Sequence, residues 1–233
     1  MKTLKDKAIV ITGAGGDIAG AVEEAMAQAG ARPILIDRDE IRIRGRAESY
    51  ATLAIEEDLL SAESAQRAAD AAQDRMGRVD GLVHLIGDIV PGRLEDLDDA
   101  DYDHAFDSNV RTLFHTVRAF LPLLKARPES FVASIGAQQA FQGGSPGATV
   151  FAAAKGAAAT MLRSLDAELA DTSVDVTIIT PLGPVDTGSG RTRLPAPRQG
   201  GWISPRALAA AFVSAALAGE GGRLLEVPIH PPR

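Results

Sequence analysis

The sequence predicts a doubly wound α/β domain in which a parallel sheet is covered by helices on both faces. Short apolar runs of β character alternate with longer segments of helical period, and this alternation is typical of βαβ units. The length of 233 residues is enough to bury one sizeable core and stays within the range of one domain. We therefore assign residues 1–233 to a single domain.

Seven apolar runs are interpreted as strands. In chain order they are Ala8–Ile11, Pro33–Ile36, Thr52–Ile55, Gly81–Ile86, Phe131–Ser134, Val174–Thr180 and Leu224–Val227. The clearest helical patterns between them are Tyr102–Lys125 and Val150–Ala170, where apolar residues recur at helical spacing. The segment Leu182–Trp202 has several glycines and prolines and little periodicity, so we expect a long loop there that acts as a substrate lid.

Composition and charge exclude several kinds of protein. The net charge of −7 comes from 31 acidic and 24 basic residues scattered along the chain, so no surface for nucleic acid is expected. The absence of cysteine excludes disulfides and cysteine metal sites, and we predict no metal centre. Met1–Lys7 is charged and leads into an apolar stretch too short for a signal peptide or a membrane span. We therefore expect a cytoplasmic protein that binds no membrane.

A glycine-rich turn follows the first strand. It runs from Thr12 through Gly13, Gly15 and Asp17, and a helical pattern begins near Ile18. Glycine lets the main chain approach a pyrophosphate, whose negative charge is attracted by the free N–H groups of the helix start. A tight connection between a strand and a helix needs glycine without any ligand as well, so the turn alone does not decide between the two interpretations.

The end of the second strand favours the nucleotide interpretation. Asp37 lies at the spacing from the glycines at which a carboxylate meets the adenosine ribose hydroxyls. A carboxylate there repels a 2′-phosphate, so the sequence predicts NAD rather than NADP. Arg38, the next residue, leaves NADP open.

These motifs resemble the short-chain dehydrogenase/reductase family, and the resemblance covers essentially the whole chain. The turn matches the family's TGxxxGxG, except that Asp17 and Ala19 stand in place of its second and third glycines. The resemblance implies a Rossmann-type domain with seven parallel strands in the order 3-2-1-4-5-6-7. It also implies a small alcohol or ketone as substrate and a homotetramer or homodimer.

Further cofactor contacts are implied by the resemblance. Asp58 and Leu59 stand at the family's adenine contact, although Asp58 is equally well explained as a helix N-cap. The run LVHLIG takes the place of the family's LVNNAG and keeps Gly87, and its His84 is expected to be a packed strand residue. PLGPVDT resembles the PGxVxT segment that holds the nicotinamide carboxamide. The complete cofactor-binding prediction is Thr12, Gly13, Gly15, Asp17, Ile18, Asp37, Arg38, Asp58, Leu59, Gly87, Lys155, Pro181, Val185 and Thr187.

The catalytic set of the family is incomplete in this chain. A family member moves a proton through a tyrosine hydroxyl, assisted by lysine, serine and asparagine. The YxxxK motif is matched by FAAAK, so Phe151 takes the place of the tyrosine and has no proton to transfer. Lys155 fits the lysine that holds the nicotinamide ribose. Asn109 matches the asparagine that interrupts the long helix and orders a water beside that lysine.

The serine position has two alignments. Ser134 is one candidate, whereas the other register places Ala137 there and leaves no hydroxyl. Other polar residues that the sequence places near the cleft are Gln138, Gln139, Ser145 and Thr149. The substrate walls are expected at Asp88–Arg93, Gln138–Gly144 and Gly188–Trp202.

Several functions agree with this pattern. One is an NAD-dependent oxidoreductase in which Ser134, a glutamine, water or the substrate replaces the phenol. Another is a nucleotide-binding sensor or scaffold without redox activity. A lyase, isomerase or cyclase also uses such a cleft without net hydride transfer. A dehydrogenase inactivated by exchange of Tyr for Phe at position 151 is a further alternative.

Overall fold

The computed structural model describes residues 2–49, 53–193, 201–219 and 222–233. It contains a seven-stranded parallel sheet with the order β3-β2-β1-β4-β5-β6-β7, which confirms the predicted fold class and the strand order. The strands are β1 Ala8–Thr12, β2 Arg32–Asp37, β3 Leu53–Glu56, β4 Gly81–His84, β5 Ser130–Ile135, β6 Val174–Pro181 and β7 Glu226–Ile229.

Nine α-helices connect and flank these strands within the described residues. They are α1 Ala19–Gln28, α2 Glu40–Ser49, α3 Ala62–Met76, α4 Asp99–Phe106, α5 Thr112–Lys125, α6 Gln138–Phe141, α7 Thr149–Glu168, α8 Gly188–Arg193 and α9 Pro205–Leu217. In the described parts of the chain, no helix combines the length and apolar character that a membrane span requires.

Two apolar layers lie on opposite faces of the sheet. Helices α1, α2 and α9 pack on one face, where Met26, Ile43 and Phe212 are buried. Helices α3, α5 and α7 pack on the other, around Phe120 and Leu162. Because neighbouring residues of a strand point to opposite faces, a strand buried on both faces needs apolar residues throughout. This requirement explains the continuous apolar runs in the sequence.

The ends of several strands differ from the prediction. The fourth strand ends at His84 rather than Ile86, because Leu85 and Ile86 leave the sheet beside the glycine-rich turn. The last strand begins at Glu226, two residues after the predicted Leu224. The predicted start of the third strand, Thr52, lies outside the described residues.

The predicted helix Tyr102–Lys125 is wrong in its continuity and its start. It consists of α4, one π-helical turn at Asp107–Arg111 and α5. Helix α4 begins earlier because Asp98 accepts the N–H of Asp101 and completes a capping box. The turn contains Asn109, where the family resemblance implies an interruption that the apolar pattern alone does not indicate.

The predicted long loop Leu182–Trp202 is also wrong in part, since it contains helix α8. This helix has six residues, too few to show a helical period. Residues 194–200 of the predicted lid lie outside the described part of the chain.

Two buried carboxylates illustrate opposite solutions to burying a charge. Asp80 receives hydrogen bonds from Arg78 at 2.6 Å, Arg127 at 3.1 Å and the N–H of Ala8 at 2.9 Å. Burial acts to raise the pKa of Asp80, but these donors outweigh burial and lower it. This carboxylate therefore ties the start of β4 to β1 as an ion.

Glu23 on α1 is the opposite case. It is fully buried, and neither carboxylate oxygen has a hydrogen-bond partner. The Arg46 guanidinium of α2 lies 3.4 Å away and also donates to the carbonyl of Ala14 in the glycine-rich turn. Burial raises the pKa of Glu23 to about 7, although the charge of Arg46 opposes that rise.

Candidate active site

A cavity of about 640 Å³ lies at the carboxyl ends of the central strands. Its walls come from the glycine-rich turn, the segments that follow β4 and β5, the start of α7, and the segment from the end of β6 to α8. In an open parallel sheet, ligands bind at this edge. The fold therefore brings together turn, strand ends and helix residues that are far apart in the chain.

The glycine-rich turn approaches β4 closely at Gly13. This residue has a φ of 67°, and a Cβ built on it would lie 2.9 Å from the backbone nitrogen of Ile86. A side chain is therefore excluded by conformation and by contact. Gly13, Asp17 and Ile18 line the cavity, and the buried hydroxyl of Thr12 instead pairs with Nδ1 of His84 at 2.9 Å.

Asp37 is positioned by the same turn. Its Oδ2 accepts the N–H of Gly15 at 2.8 Å, and its Oδ1 accepts the N–H of Asp39 at 3.1 Å. Arg38 is exposed, and neither residue lines the cavity. The carboxylate thus lies at the outer side of the turn, beyond the cavity walls.

Asp58 and Leu59 also lie outside these walls. Asp58 is exposed and accepts the N–H of Leu60 at 3.2 Å. The N-cap of α3 is Ser61, which accepts the N–H of Ser64, so the N-cap interpretation of Asp58 is wrong. Leu59 is buried in the apolar layer under α3 and α5.

Lys155 and Asn109 meet at Gly87. A Cβ built on Gly87 would lie 2.5 Å from Asn109 Oδ1 and 2.9 Å from Lys155 Nζ, so only glycine leaves room for both side chains. The Asn109 amide nitrogen donates to the carbonyls of Asp88 and Ala105 at 3.0 and 2.9 Å, and its Oδ1 has no partner. The π turn therefore aims a buried acceptor toward the lysine.

The ammonium of Lys155 is buried in the cavity wall. It donates to the carbonyl of Ile135 at 3.2 Å. Burial lowers the pKa of Lys155 to about 8.

The two alternatives for the serine position lie in different environments. Ser134 is 4% exposed, donates to the carbonyl of His84 at 3.2 Å, and is absent from the cavity wall. Ala137 is part of the wall, as is Phe151, which is 6% exposed. Thus neither of the two wall positions carries a hydroxyl.

His84 is a packed strand residue, as expected. It is buried between β1 and β5, and its Nε2 has no partner. Burial, and then the charge of Lys155, lower the pKa of His84 to about 3, so the imidazole is neutral at physiological pH.

Two carboxylates hold helix α8 against the cavity. Asp17 accepts the N–H and the hydroxyl of Ser189 at 2.9 and 2.7 Å, and these bonds lower the pKa of Asp17. Asp88 pairs with His104 at 3.1 Å and with Arg193 at the end of α8. Burial acts to raise the pKa of Asp88, but these partners and the N–H of Ile89 lower it.

The polar residues predicted for the cleft separate into two groups. Gln138, Gln139 and Ser145 line the cavity, whereas Thr149 does not. Sequence reasoning missed the roles of Ser189 and Arg193, since neither carries a local motif. Among the described residues, no three His, Asp or Glu side chains are grouped to hold a metal ion.

A sequence model of the short chain dehydrogenase family matches residues 7–196. The chain belongs to this family. Among its relatives, an uncharacterized oxidoreductase of Staphylococcus aureus is 26% identical over 234 residues, covering 99% of this chain and 100% of the relative. One from Staphylococcus epidermidis is 30% identical over 189 residues, covering 80% and 81% of the two chains.

Two solved structures share this fold. An NADH-dependent reductase responsible for alginate metabolism superposes with a TM-score of 0.82 at 27% identity, covering 97% of this chain and 96% of that one. An alcohol dehydrogenase from the archaeon Thermococcus sibiricus, complexed with 5-hydroxy-NADP, gives a TM-score of 0.87 at 25% identity with the same coverage.

Proposed function

We propose that the protein is an NAD-dependent oxidoreductase acting on a small alcohol or ketone. The observation that carries the proposal is the position of Lys155: its ammonium is buried in the wall of the cavity that the glycine-rich turn also lines. The names of the structural neighbours, an NADH-dependent reductase and an alcohol dehydrogenase with an NADP derivative, support a nicotinamide cofactor. The carboxylate of Asp37 favours NAD.

The residues present fit such a cofactor. Gly13 lines the cavity, with Thr12, Gly15, Asp17 and Ile18 around the same turn, and no described side chain caps the start of α1, where N–H groups can meet a pyrophosphate. Asp37 and Arg38 would meet the adenosine ribose, and Lys155 and Gly87 the nicotinamide ribose. Pro181, Val185 and Thr187 would meet the carboxamide. The adenine would meet Asp58 and only the main chain of Leu59, whose side chain is buried. When bound, the nicotinamide supplies or accepts a hydride.

Proton transfer needs a substitute for the missing phenol. Ser134 is engaged by the carbonyl of His84 and lies outside the cavity wall, so its hydroxyl is poorly placed. Gln139 lies on the wall and its amide can donate a hydrogen bond to a substrate oxygen, but an amide releases no proton near neutral pH. We propose that water held by Asn109 Oδ1 and Lys155 carries the proton, since Oδ1 is a buried acceptor without a partner.

Nucleotide titration tests the proposal. The full-length protein is titrated with NADH and NADPH by fluorescence, then assayed with alcohols, aldehydes and ketones at the absorbance band of reduced nicotinamide. Gly13→Ala should abolish binding because its Cβ meets the backbone of Ile86. Gly77→Ala at the end of α3 is the matched control, since Gly77 has a similar φ of 70° and a Cβ there would have no neighbour within 4 Å among the described residues. Absence of binding by the wild-type protein would refute the cofactor assignment.

A second function is favoured by Phe151 and Ala137, which together leave the wall without the family's hydroxyls. In that case the protein binds the nucleotide as a sensor or scaffold without redox turnover. Binding without turnover of any substrate, and without gain when tyrosine is restored, would support this candidate.

We further propose that residues 1–233 form one domain, that the protein is cytoplasmic, and that it forms a homodimer or homotetramer. These proposals follow from the sequence pattern and the family resemblance. Light scattering on the purified protein measures the oligomeric state directly.

A further inference from the structure

Among the described residues, no carboxylate pairs with the buried amine of Lys155. The chain has five lysines. Lys2 pairs with Asp175 at 3.0 Å, and Lys125 is exposed at the end of α5. Lys155 is 7% exposed, and no described ion pair includes it. Its ammonium therefore loses hydration without gaining an opposite charge, and this is the environment in which lysine becomes a nucleophile.

The groups around Lys155 leave its charge uncompensated. From β4, His84 faces it as a neutral imidazole, because burial holds the pKa of His84 near about 3. From the π turn it meets the neutral amide of Asn109. The charged groups of the same cavity are engaged elsewhere: Asp17 by Ser189, and Asp88 by His104 and Arg193.

The wall beside the amine is apolar where the family has a phenol. Phe151 precedes Lys155 by one helical turn on α7 and lines the same cavity, as do Leu85 and Pro146. The volume of about 640 Å³ is ample for a small carbonyl compound. An aldehyde can therefore pack its apolar group on Phe151 while its carbonyl carbon faces the amine.

We propose that Lys155 is a carbonyl-condensing residue, which forms a protonated Schiff base with small apolar aldehydes in the cavity. The Nζ lone pair adds to the carbonyl carbon, one amine proton moves to the oxygen, and water leaves with one proton taken from solvent. A protonated C=N bond remains, and the step needs neither oxidant nor reductant. This activity goes beyond the proposed function and requires no nicotinamide.

Reductive trapping tests the proposal on the full-length protein. The protein is incubated with benzaldehyde and sodium cyanoborohydride, which reduces the iminium to a stable secondary amine, and the adduct is located by mass spectrometry of peptides. With the pKa of Lys155 at about 8 instead of 10.5, the free amine at pH 7 is roughly 300-fold more abundant than for an ordinary lysine. We expect Lys155 to be labelled at least about tenfold faster than Lys125 in the same molecule.

Two variants serve as controls. Lys155→Arg keeps the positive charge but cannot condense, so it should lose this label alone. Lys125→Arg should keep the label at Lys155. Peptide mapping separates both sites from the α-amino group, which also condenses with aldehydes. If Lys155→Arg fails to fold, the ratio of the labelling rates of Lys155 and Lys125 in the wild-type protein still tests the proposal.

A parallel reaction with excess NADH separates this proposal from the proposed function. If NADH suppresses the labelling of Lys155, the result supports both the Schiff-base proposal and the proposed function. Labelling that NADH leaves unchanged supports the Schiff base and counts against nicotinamide binding beside Lys155. If Lys155 is labelled no faster than Lys125, with or without NADH, the Schiff-base proposal is overturned. The oxidoreductase assignment is then tested separately by the nucleotide titration.

Discussion

Replacing Phe151 by tyrosine should restore proton transfer in the candidate active site. The ring is 6% exposed in the cavity wall, and Lys155 follows one turn later on the same face of α7. The substitution adds one hydroxyl group to that wall. A nearby ammonium favours the phenolate, so the pKa of the new phenol should fall below its ordinary value of about 10.

The expected gain follows from what general acid–base catalysis contributes. A positioned acid accelerates a reaction by about 10²–10⁴-fold, which equals about 2.7–5.5 kcal/mol of barrier. We expect Phe151→Tyr to raise kcat for NADH-dependent reduction of an aldehyde or ketone by a factor in this range. Adding Ala137→Ser should raise kcat further, because residue 137 lies on the same wall.

The assay follows loss of NADH absorbance and resolves kcat from KM, with the Kd for NADH measured separately by fluorescence. Phe114→Tyr places the same hydroxyl on the exposed face of α5 and is the matched control. The reasoning is refuted by a folded Phe151→Tyr protein that binds NADH as the wild type does, yet reduces no substrate faster than the wild type or Phe114→Tyr.

Three further predictions concern charged groups. Asp37→Asn should weaken NADH binding by roughly 10-fold to 100-fold and improve NADPH binding, because it removes a charged hydrogen-bond acceptor; calorimetric titration of both nucleotides measures this, and an unchanged preference contradicts it. Glu23 has a folded-state pKa of about 7 against an ordinary 4.5, so its contribution to stability is full below pH 4.5 and is lost as pH rises through 7. Glu23→Gln should therefore stabilise the protein at pH 8, relative to wild type, by up to about 3 kcal/mol more than at pH 4.5; equal urea midpoints for both proteins at both pH values would exclude this. Asp80→Ala should cost about 1.5–3 kcal/mol of unfolding free energy at pH 7, because Arg78, Arg127 and the N–H of Ala8 lose a charged hydrogen-bond acceptor. Since the pKa of Asp80 is lowered in the folded chain, that cost should shrink as pH falls below about 4, which denaturation at several pH values will show.

The sheet was predictable because its central strands are buried on both faces and therefore consist mainly of consecutive apolar residues. The helices were less predictable from the sequence. The π turn at Asp107–Arg111 was indicated only by the family resemblance at Asn109, and α8 is too short to have an apolar period. Hydrogen bonds, rather than the hydrophobic pattern, determine both the π turn and helix α8.

The position of a candidate residue was predictable where it follows from spacing along a strand or helix; the roles of these residues stay predictions. Asp37 was found by its spacing from the glycines, and the structure shows its bond to Gly15. The contacts of Asp17 with Ser189 and of Asp88 with Arg193 span 172 and 105 positions, so no local pattern indicates them. The register at the end of β5 stayed open because polar and small residues fit both alignments.

Phe151 and Ala137 belong to neither of the apolar layers that hold the sheet between its helices. An oxygen atom can be gained or lost at either position while those layers keep every side chain they have. The reactivity of the cavity wall can therefore be altered at these two positions without altering the side chains that hold the sheet between its helices.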